Sequence, residues 1–510
     1  MKKPEYEWWV QHAHTDSAFL FLMEEPDLFV QQVWSRLDKV GRGGESQQSK
    51  QEVVNQAMWR AIHEQDRFGA MTSILDDIQA PSSSMRPVIP GSLHLDRAGT
   101  LFDSSGMFLG LGVSAFWLPW AFEHNRDQFT RFCEWAHTSF TYVRWFGCHD
   151  WDGGTPAPQR YPGGHHAYFS LMEEVIKELA RHNLRSFITL YTRRSMFERS
   201  DDTISASYQW GHLVNRHLDK VVGVEIVNES SHPDNGWNTG AVRQLSHTFM
   251  DVCPHVGISA VSAPVAQNWE ETEYQLRDLY TGSQANAVTV HFSRKRTSES
   301  PWRWVRQPWH LRSRFKTDGD GRASDEFFTV DNEPQRWDKS VGGRDISVAL
   351  AAPLVSWLCG STLTCHHDSY GVHAERGEYC QDASSNLLKD ALAELVPHIP
   401  PDLPSWTPTR VGLEGVWFPH PELLSQHWTF TDRQAGVSRS YAAFKGNKWV
   451  MVLTGVRGSV QLKDRGYPNV KVIPLTSGLN GRITPFNDLI NGGSVTLTGD
   501  VGAYYLTGER

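Results

Sequence analysis

The 510-residue sequence lacks several patterns that mark common classes of protein. It has only six cysteines and no C-x-x-C pair, so neither a zinc knuckle nor a dense disulfide framework is indicated, and the redox compartment stays open. The net charge of −9 comes without a long basic stripe, which argues against a nucleic-acid partner because phosphate binding needs clustered lysine and arginine. No G-x-G-x-x-G motif follows the first candidate strand, so a dinucleotide-binding fold is disfavoured and no cofactor is predicted.

Long apolar runs are also missing. The stretch AFLFLM near the N-terminus is six residues long, far short of the roughly 20 that a membrane helix needs. Two lysines open the chain, but proline and glutamates follow where a signal peptide needs an apolar core. We therefore expect a soluble protein without classical export and without a membrane partner, cytoplasmic or particle-associated, and the oligomeric state stays open.

Aromatic residues and histidine, by contrast, are plentiful. The sequence contains 21 tryptophans and 23 histidines. A tryptophan ring offers a flat apolar face and one hydrogen-bond donor, which suits stacking against a sugar. Many of these side chains will also fill the core of so long a chain. A carbohydrate cleft is one interpretation of the composition, and core packing is the other.

The hydrophobic pattern divides the chain into three predicted segments. Residues 1–85 carry apolar side chains at helical spacing and end at the Pro/Ser-rich stretch QAPSSSMRPVIPG, so we predict a helical N-terminal segment. Residues 86–410 alternate short apolar runs with amphipathic stretches. Residues 411–510 predict a small antiparallel, β-sandwich-like domain. It contains one predicted hairpin with a Gly-Asn turn in SRSYAAFKGNKWVMVLTG and a second in GGSVTLTGDVGAYYLTGER.

The middle segment contains eight candidate strands separated by helical patterns. This alternation predicts βαβ units and a parallel sheet, and eight such units over roughly 300 residues favour a closed β/α barrel, an α/β fold, over an open sheet. The eight candidates are LGVSAFW (111–117), FTYVRWF (140–146), LRSFITLY (184–191), VVGVEIV (221–227), HVGISAV (255–261), AVTVHF (287–292), FFTVDN (327–332) and STLTC (361–365).

Two of these strands run directly into Asn-Glu. VVGVEIV is followed by Asn228 and Glu229, and FFTVDN is followed by Glu333. In a β/α barrel the loops after the carboxyl ends of the strands build the active site, so both carboxylates are displayed at the same mouth. A carboxylate after a strand can also cap a helix or pair with an arginine. The fourth and seventh strands lie on opposite sides of the ring, however, and the pair can therefore converge on a substrate.

This arrangement resembles the retaining glycoside hydrolases of the β/α-barrel four-seven superfamily, clan A. The resemblance implies that Glu229 is the general acid/base, that Glu333 is the nucleophile, and that Asn228 binds the sugar beside the reacting carbon. Arg144 in YVRWFG stands where the clan often has an arginine beside the nucleophile, and His291 in VTVHF stands where many members have His or Tyr. The sequence departs from the cellulase-like pattern in HFS, where serine replaces a tyrosine, and in CHHDSYG, where a tryptophan is usual.

Other polar and aromatic side chains near strand ends are candidate substrate-binding residues. They are His149, Asp150, Tyr191, Trp117, Trp151 and His366. The segments CHHDS and GCHDWDGG could also supply metal ligands, but zinc needs three or four oriented ligands and adjacent residues on extended backbone point apart, so no metal is predicted.

Two hypotheses follow from the sequence. The first is a retaining β-glycosidase that hydrolyses a β-linked oligo- or polysaccharide through a glycosyl-enzyme intermediate. The second is a catalytically inactive glycan-binding or particle-assembly protein on the same barrel, attached through its N-terminal arm. The sugar, the linkage and the choice between endo and exo attack are left open by the sequence.

Overall fold

A computed structural model describes most of the chain after residue 92. The described residues are 93–96, 98–148, 166–197, 200–264, 269–291, 302–305, 307–308, 311, 328–334, 345–408, 428–430, 439–463, 470–478, 484–485 and 494–509. The chain divides into two compact units, Met1–Ile89 and Pro90–Arg510, and every described residue belongs to the second. The helical segment predicted for residues 1–85 lies outside the described residues.

Eight parallel strands form a closed barrel. Each strand is hydrogen-bonded to the next along the chain, and the last pairs with the first through Leu363 opposite Gly110, which closes the ring. The strands are β1 (Gly110–Ser114), β2 (Tyr142–Phe146), β3 (Arg185–Tyr191), β4 (Val221–Val227), β5 (Ile258–Pro264), β6 (Ala287–His291), β7 (Phe328–Asp331) and β8 (Ser361–His366). All eight overlap the strands predicted from the sequence, so the barrel prediction is confirmed.

Helices lie between the strands along the chain, as a β/α barrel requires. Those of eight residues or more are α1 (Arg126–Ala136), α2 (His166–Arg181), α3 (Ser200–Asn215), α4 (Thr239–Val252), α5 (Trp269–Tyr280), α6 (Ile346–Leu358) and α7 (Ala383–Leu395). Helix α2 shows why they form: Met172, Ile176 and Leu179 recur at helical spacing and are buried. Among the helices that the structure describes, none is long and apolar enough to cross a membrane.

The barrel interior is apolar toward the amino ends of the strands (the lower layer) and polar toward their carboxyl ends (the upper layer). The lower layer is a cluster that includes Tyr142, Phe187, Val222, Val330 and Leu363, side chains from five different strands. Gly112 on β1 leaves room for the Tyr142 ring, since a Cβ at this position would lie 2.2 Å from the ring. Because side chains alternate along a strand, Arg144 points inward two residues above Tyr142 on β2. On β4 the register shifts between Val221 and Gly223, which brings Glu225 inward although Val222 belongs to the lower layer. At that level the inward positions are filled by charged and polar residues.

Two antiparallel sheets follow the barrel. A six-stranded sheet contains, in spatial order, Thr407–Pro408, Arg439–Lys445, Lys448–Thr454, Ala503–Glu509, Lys471–Pro474 and Thr484–Pro485, and a three-stranded sheet contains Trp428–Phe430, Ser459–Lys463 and Ser494–Thr498. The small antiparallel β region predicted for the C-terminus is thus confirmed. Its boundaries, like those of the other predicted segments, stay predictions.

One hairpin in this region is confirmed and a second prediction is wrong. Lys445 pairs with Lys448 across the Gly-Asn turn, as predicted, and Gly446 has φ +60° as such a turn requires. The stretch GGSVTLTGDVGAYYLTGER was expected to form a hairpin of its own. Its two strands instead enter different sheets, Ser494–Thr498 pairing with Ser459–Lys463 and Ala503–Glu509 with Lys448–Thr454. A turn that changes sheets looks like a hairpin turn in sequence, which explains the error.

Candidate active site

A buried arginine forms the centre of the polar layer. Arg144 on β2 is fully buried, and its guanidinium donates to Glu333 Oε1 at 2.6 Å, to Glu225 Oε2 at 2.7 Å and to Asn228 Oδ1 at 3.0 Å. Burial disfavours its charge, but the two carboxylates outweigh burial and raise the pKa of Arg144 above its usual value. The guanidinium also lies over the ring of Phe116 at 4.9 Å. Arg144 therefore stays charged and ties three acceptors together.

Glu225 is the anion beneath the site. It projects from the middle of β4 and is completely buried. Its Oε2 accepts hydrogen bonds from Arg144, from Thr189 Oγ1 at 2.7 Å and from Asn332 Nδ2 at 3.1 Å. Burial raises the pKa of this carboxyl, but Arg144 and then His291 lower it more, to about 2. Glu225 is therefore ionised at any working pH.

His291, the last residue of β6, lies among three carboxylates. Its Nε2 is 3.3 Å from Glu225 Oε1, and its Nδ1 is 3.0 Å from Glu229 Oε1 and 3.6 Å from Glu333 Oε1. Burial favours the neutral ring, but Glu333 and Glu225 outweigh it and raise the pKa of His291 to about 9. At neutral pH the ring is therefore an imidazolium that can donate from both nitrogens.

Glu229 follows β4 with an unusual backbone conformation. Its φ is +45°, in the left-handed region that side-chain-bearing residues rarely adopt. Its N–H donates to Ser262 Oγ at 2.8 Å, and its carbonyl accepts from Asn235 Nδ2 at 2.9 Å. These contacts hold the strained turn and aim the side chain, which is 19% exposed, toward the barrel mouth.

Glu333 follows β7 and is more enclosed. Its side chain is 4% exposed, with Oε1 bound to Arg144. His367, one residue past β8, places Nε2 at 3.8 Å from Glu333 Oε2, and its Nδ1 is 3.0 Å from Ser114 Oγ. One carboxylate oxygen of Glu333 lies within 4.8 Å of one of Glu229. The two carboxylates thus meet at one point of the barrel mouth.

A metal ion fits this group poorly. Glu229, His291 and Glu333 could each offer one ligand atom, and these atoms lie within 4.8 Å of one another. Arg144 already donates to Glu333 Oε1, however, so a cation bound to these atoms would lie beside a buried guanidinium charge. The donors are therefore committed to each other, and we assign no metal to them.

The structure brings together five of the residues selected from the sequence. Arg144, Asn228, Glu229, His291 and Glu333 form one connected group of hydrogen bonds and ion pairs. They come from four places in the chain: β2, the end of β4, β6 and the end of β7. Their roles in a reaction stay predictions, but the single location is a fact of the fold.

Three other selected residues lie elsewhere. Trp117 is buried against Phe132 and donates to the Tyr370 carbonyl, while the Tyr191 hydroxyl pairs with Ser207 Oγ on α3 at 2.9 Å. His366 contacts the ring of Tyr379, on the outer side of the barrel. His366 points outward because side chains alternate along a strand and its neighbour Cys365 belongs to the interior cluster.

The remaining selected residues are His149, Asp150 and Trp151, which lie outside the described residues. Ser293, which replaces the tyrosine of the cellulase-like pattern, also lies outside them.

Sequence reasoning missed Glu225 and Asn332 as members of the group. It gave His366 and His367 together as one alternative for lining the sugar pocket and selected only His366. Glu225 carried a readable signal, since it is the one charged residue inside the apolar run VVGVEIV and lies four residues before Glu229. Asn332 carried the same kind of signal, a polar residue between β7 and Glu333. His367 differs from His366 only by strand register, which the sequence leaves uncertain by a residue or more.

The comparisons with known proteins agree with this picture at the level of the fold. No protein-family model matches the sequence, and no curated protein matches it. A solved structure described as a glycoside hydrolase aligns with a TM-score of 0.53 at 12% identity, over 83% of this chain and 98% of its own. A protein of Bacteroides vulgatus assigned to the glycoside hydrolases aligns with a TM-score of 0.51 at 11% identity, over 82% of this chain and 83% of its own. The chain therefore shares the fold of two proteins described as glycoside hydrolases.

Proposed function

We propose that the protein is a retaining β-glycosidase of clan A that hydrolyses a β-linked oligo- or polysaccharide. The observation that carries this proposal is the approach of a carboxylate oxygen of Glu229 to within 4.8 Å of one of Glu333, at the carboxyl ends of β4 and β7. Retaining enzymes hold their two carboxyl groups about 5–5.5 Å apart, whereas inverting enzymes separate them by about 6.5–9.5 Å to admit a water molecule. An upper bound of 4.8 Å between the nearest oxygens is compatible with the retaining separation, and we infer double displacement from it.

The two carboxylates have the environments that their proposed roles need. Glu333 attacks the anomeric carbon and must be ionised, and the Arg144 guanidinium at 2.6 Å supplies the compensating charge. Glu229 is the more exposed of the two, with 19% of its side chain accessible against 4% for Glu333, so it can reach the leaving-group oxygen from the mouth. These differences support Glu333 as the nucleophile and Glu229 as the acid/base.

The reaction then follows two steps. Glu229 protonates the departing oxygen while Glu333 bonds to the anomeric carbon, giving a glycosyl-enzyme ester. Because Glu229 has given its proton to the departing oxygen, it is now a carboxylate and can take a proton from the hydrolytic water. Water attacks the same carbon, the ester bond breaks, and the sugar leaves with its original anomeric configuration.

Asn228 is the proposed contact to the 2-hydroxyl of the sugar. Its Oδ1 already accepts from Arg144 at 3.0 Å, which fixes the amide with Nδ2 as its donor group. A hydrogen bond to the 2-hydroxyl strengthens as the oxocarbenium-like transition state forms.

A panel of aryl β-glycosides and common β-linked polysaccharides tests the proposal. We expect turnover of at least one glycoside, loss of turnover in Glu333→Gln with the fold intact, and a first product of β configuration by ¹H NMR. Glu174→Gln, which changes a half-exposed glutamate on α2, is the matched control and should keep full activity. Activity that survives in Glu333→Gln, or an α-configured first product, would contradict the mechanism. Tight glycan binding without any turnover would instead favour the inactive binding protein.

A further inference from the structure

Glu225 has no part in the two chemical steps, yet it is the best-connected anion of the site. It lies beneath the catalytic pair with no exposed surface, so it cannot touch a sugar. Each of its two oxygens faces a different cation: Oε2 accepts from Arg144 at 2.7 Å, and Oε1 lies 3.3 Å from His291 Nε2. Thr189 and Asn332 also donate to Oε2, which fixes the orientation of the carboxylate.

Each of these two cations also contacts one of the proposed catalytic carboxylates. Arg144 Nη1 donates to Glu333 Oε1 at 2.6 Å, and His291 Nδ1 lies 3.0 Å from Glu229 Oε1. The 3.3 Å approach of His291 Nε2 to Glu225 Oε1 is an ion-pair contact rather than a directed hydrogen bond, and the anion favours a hydrogen on Nε2. A ring that is protonated there and on Nδ1 pairs with the charge of Glu225 and can donate to Glu229.

We propose that Glu225 is a positioning residue, a shared anchor that holds Arg144 and His291 so that each contacts Oε1 of one catalytic carboxylate. The inference deepens the proposed function and rests on it. Through Arg144, the anchor fixes the orientation of the Glu333 carboxylate. Through His291, it fixes the orientation of the Glu229 carboxylate.

The charge balance of the layer explains why an anion is needed there. His291 faces Glu225 and Glu229 from the β4 side and Glu333 from the β7 side, and Asp331 on β7 and Arg144 on β2 also act on the layer electrostatically. When Glu333 becomes an ester, one of these negative charges disappears. Glu225 stays ionised through the cycle and keeps both cations in place when Glu333 no longer attracts them.

The test is the variant Glu225→Gln, assayed on the glycoside that the panel identifies. Glutamine can accept from Arg144 but places an uncharged amide against His291, so the ring loses its anionic partner. We expect kcat to fall about 10- to 100-fold, the size typical for groups that orient catalytic residues from behind. KM should change by less than about 2-fold, since Glu225 contacts no substrate.

The pH profile gives the readout that a purely structural residue would not move. Glu225→Gln removes a negative charge 3.3 Å from His291 Nε2. The loss of so close a charge lowers the pKa of the His291 imidazolium by about 1 unit or more. The alkaline limb of kcat should therefore move toward acid in Glu225→Gln. Glu225→Asp keeps the charge and should hold the limb in place with partial kcat. Thr189→Val removes a neutral hydrogen bond to the same carboxylate and is the matched control, with no shift of the limb expected.

A measurement on the unaltered protein covers the case in which Glu225→Gln fails to fold. ¹⁵N NMR of histidine-labelled protein, with His291→Gln to assign the signal, should show both nitrogens of His291 protonated at pH 7. A neutral His291 at pH 7, or an unmoved alkaline limb in folded Glu225→Gln, would overturn the anchor. A wild-type protein that hydrolyses no glycoside would refute the proposed function instead, and the NMR result would still decide the charge state that the anchor needs.

Discussion

Replacing Arg144 with methionine tests the buried charge network through stability. The change keeps the length and apolar volume of the side chain but removes a guanidinium that serves Glu333, Glu225 and Asn228. Two carboxylates would then share the barrel interior without their main counter-charge. The protein must either keep two uncompensated buried anions or protonate one of them.

The structure gives the size of the effect. Removing one partner of a buried ion pair costs about 3–5 kcal/mol, because the partner charge stays desolvated. With an unfolding entropy of about 2.1 cal/mol/K per residue over roughly 300 barrel residues, that cost lowers Tm by about 5–8 °C. Part of the loss should disappear in acid: in the wild type Arg144 holds the pKa of Glu225 down, whereas in Arg144→Met burial raises it, so protonation relieves the strain as pH falls toward 5.

Thermal unfolding followed by tryptophan fluorescence and circular dichroism at pH 7 and pH 5 measures both quantities. The barrel contains buried tryptophans such as Trp145 and Trp210 that report on it directly. Arg144→Lys, which keeps the charge but cannot serve all three acceptors, should lie between wild type and methionine. An Arg144→Met protein as stable as wild type at pH 7, or one that is more destabilised at pH 5 than at pH 7, would refute the reasoning.

Three further predictions concern pH and backbone strain. The His291 pKa is raised from 6.5 to about 9, so its contribution to stability is complete below pH 6.5 and is lost as pH rises through 9; Tm should fall over that window, and less so in His291→Gln. Asn183, two residues after the end of α2, has φ +58°, so Asn183→Ala should cost about 1 kcal/mol in chemical denaturation while Asn183→Gly should be close to neutral. Gly112→Ala would place a methyl group 2.2 Å from the Tyr142 ring and should destabilise the protein by about 1–3 kcal/mol. Gly106 has open space around it but φ +112°, so Gly106→Ala measures the backbone effect without a steric clash.

The barrel itself could be predicted because its signals are repeated along the chain. Each strand is a short run of apolar, often β-branched residues, and the strands that the structure shows as fully buried, such as Val221–Val227, have no exposed face to break the run. Eight runs with helices between them leave few alternatives. Strand ends were less certain: the fifth strand was expected at 255–261 and is observed at Ile258–Pro264, because an apolar turn before a strand looks like the strand itself.

The location of the two glutamates could be predicted for a similar reason. Glu229 and Glu333 directly follow strands, so their approximate location needs only the strand positions and the topology of a closed barrel. His291 and Arg144 face inward from β6 and β2, and they were selected because they stand where members of the clan often have these residues. These positions are fixed by the backbone, which the hydrophobic pattern encodes.

The polar contacts beneath the pair could not be predicted in the same way. The choice between His366 and His367 depends on which residues of β8 point inward, and a shift of one residue exchanges them. The role of Glu225 depends on Arg144, Thr189 and Asn332, which come from three other strands or strand ends and meet only in the folded barrel. Contacts between residues so far apart in sequence leave no local pattern.

The most direct test of the proposed mechanism is covalent trapping of the nucleophile. An activated 2-deoxy-2-fluoro-β-glycoside of the sugar identified by the panel should inactivate the protein and add the mass of one fluorosugar, and peptide mapping should locate that mass on Glu333. Glu333→Gln should take up no label under the same conditions. A label on a different residue, or rapid turnover of the parent glycoside with no trapped species and an inverted product, would contradict the account.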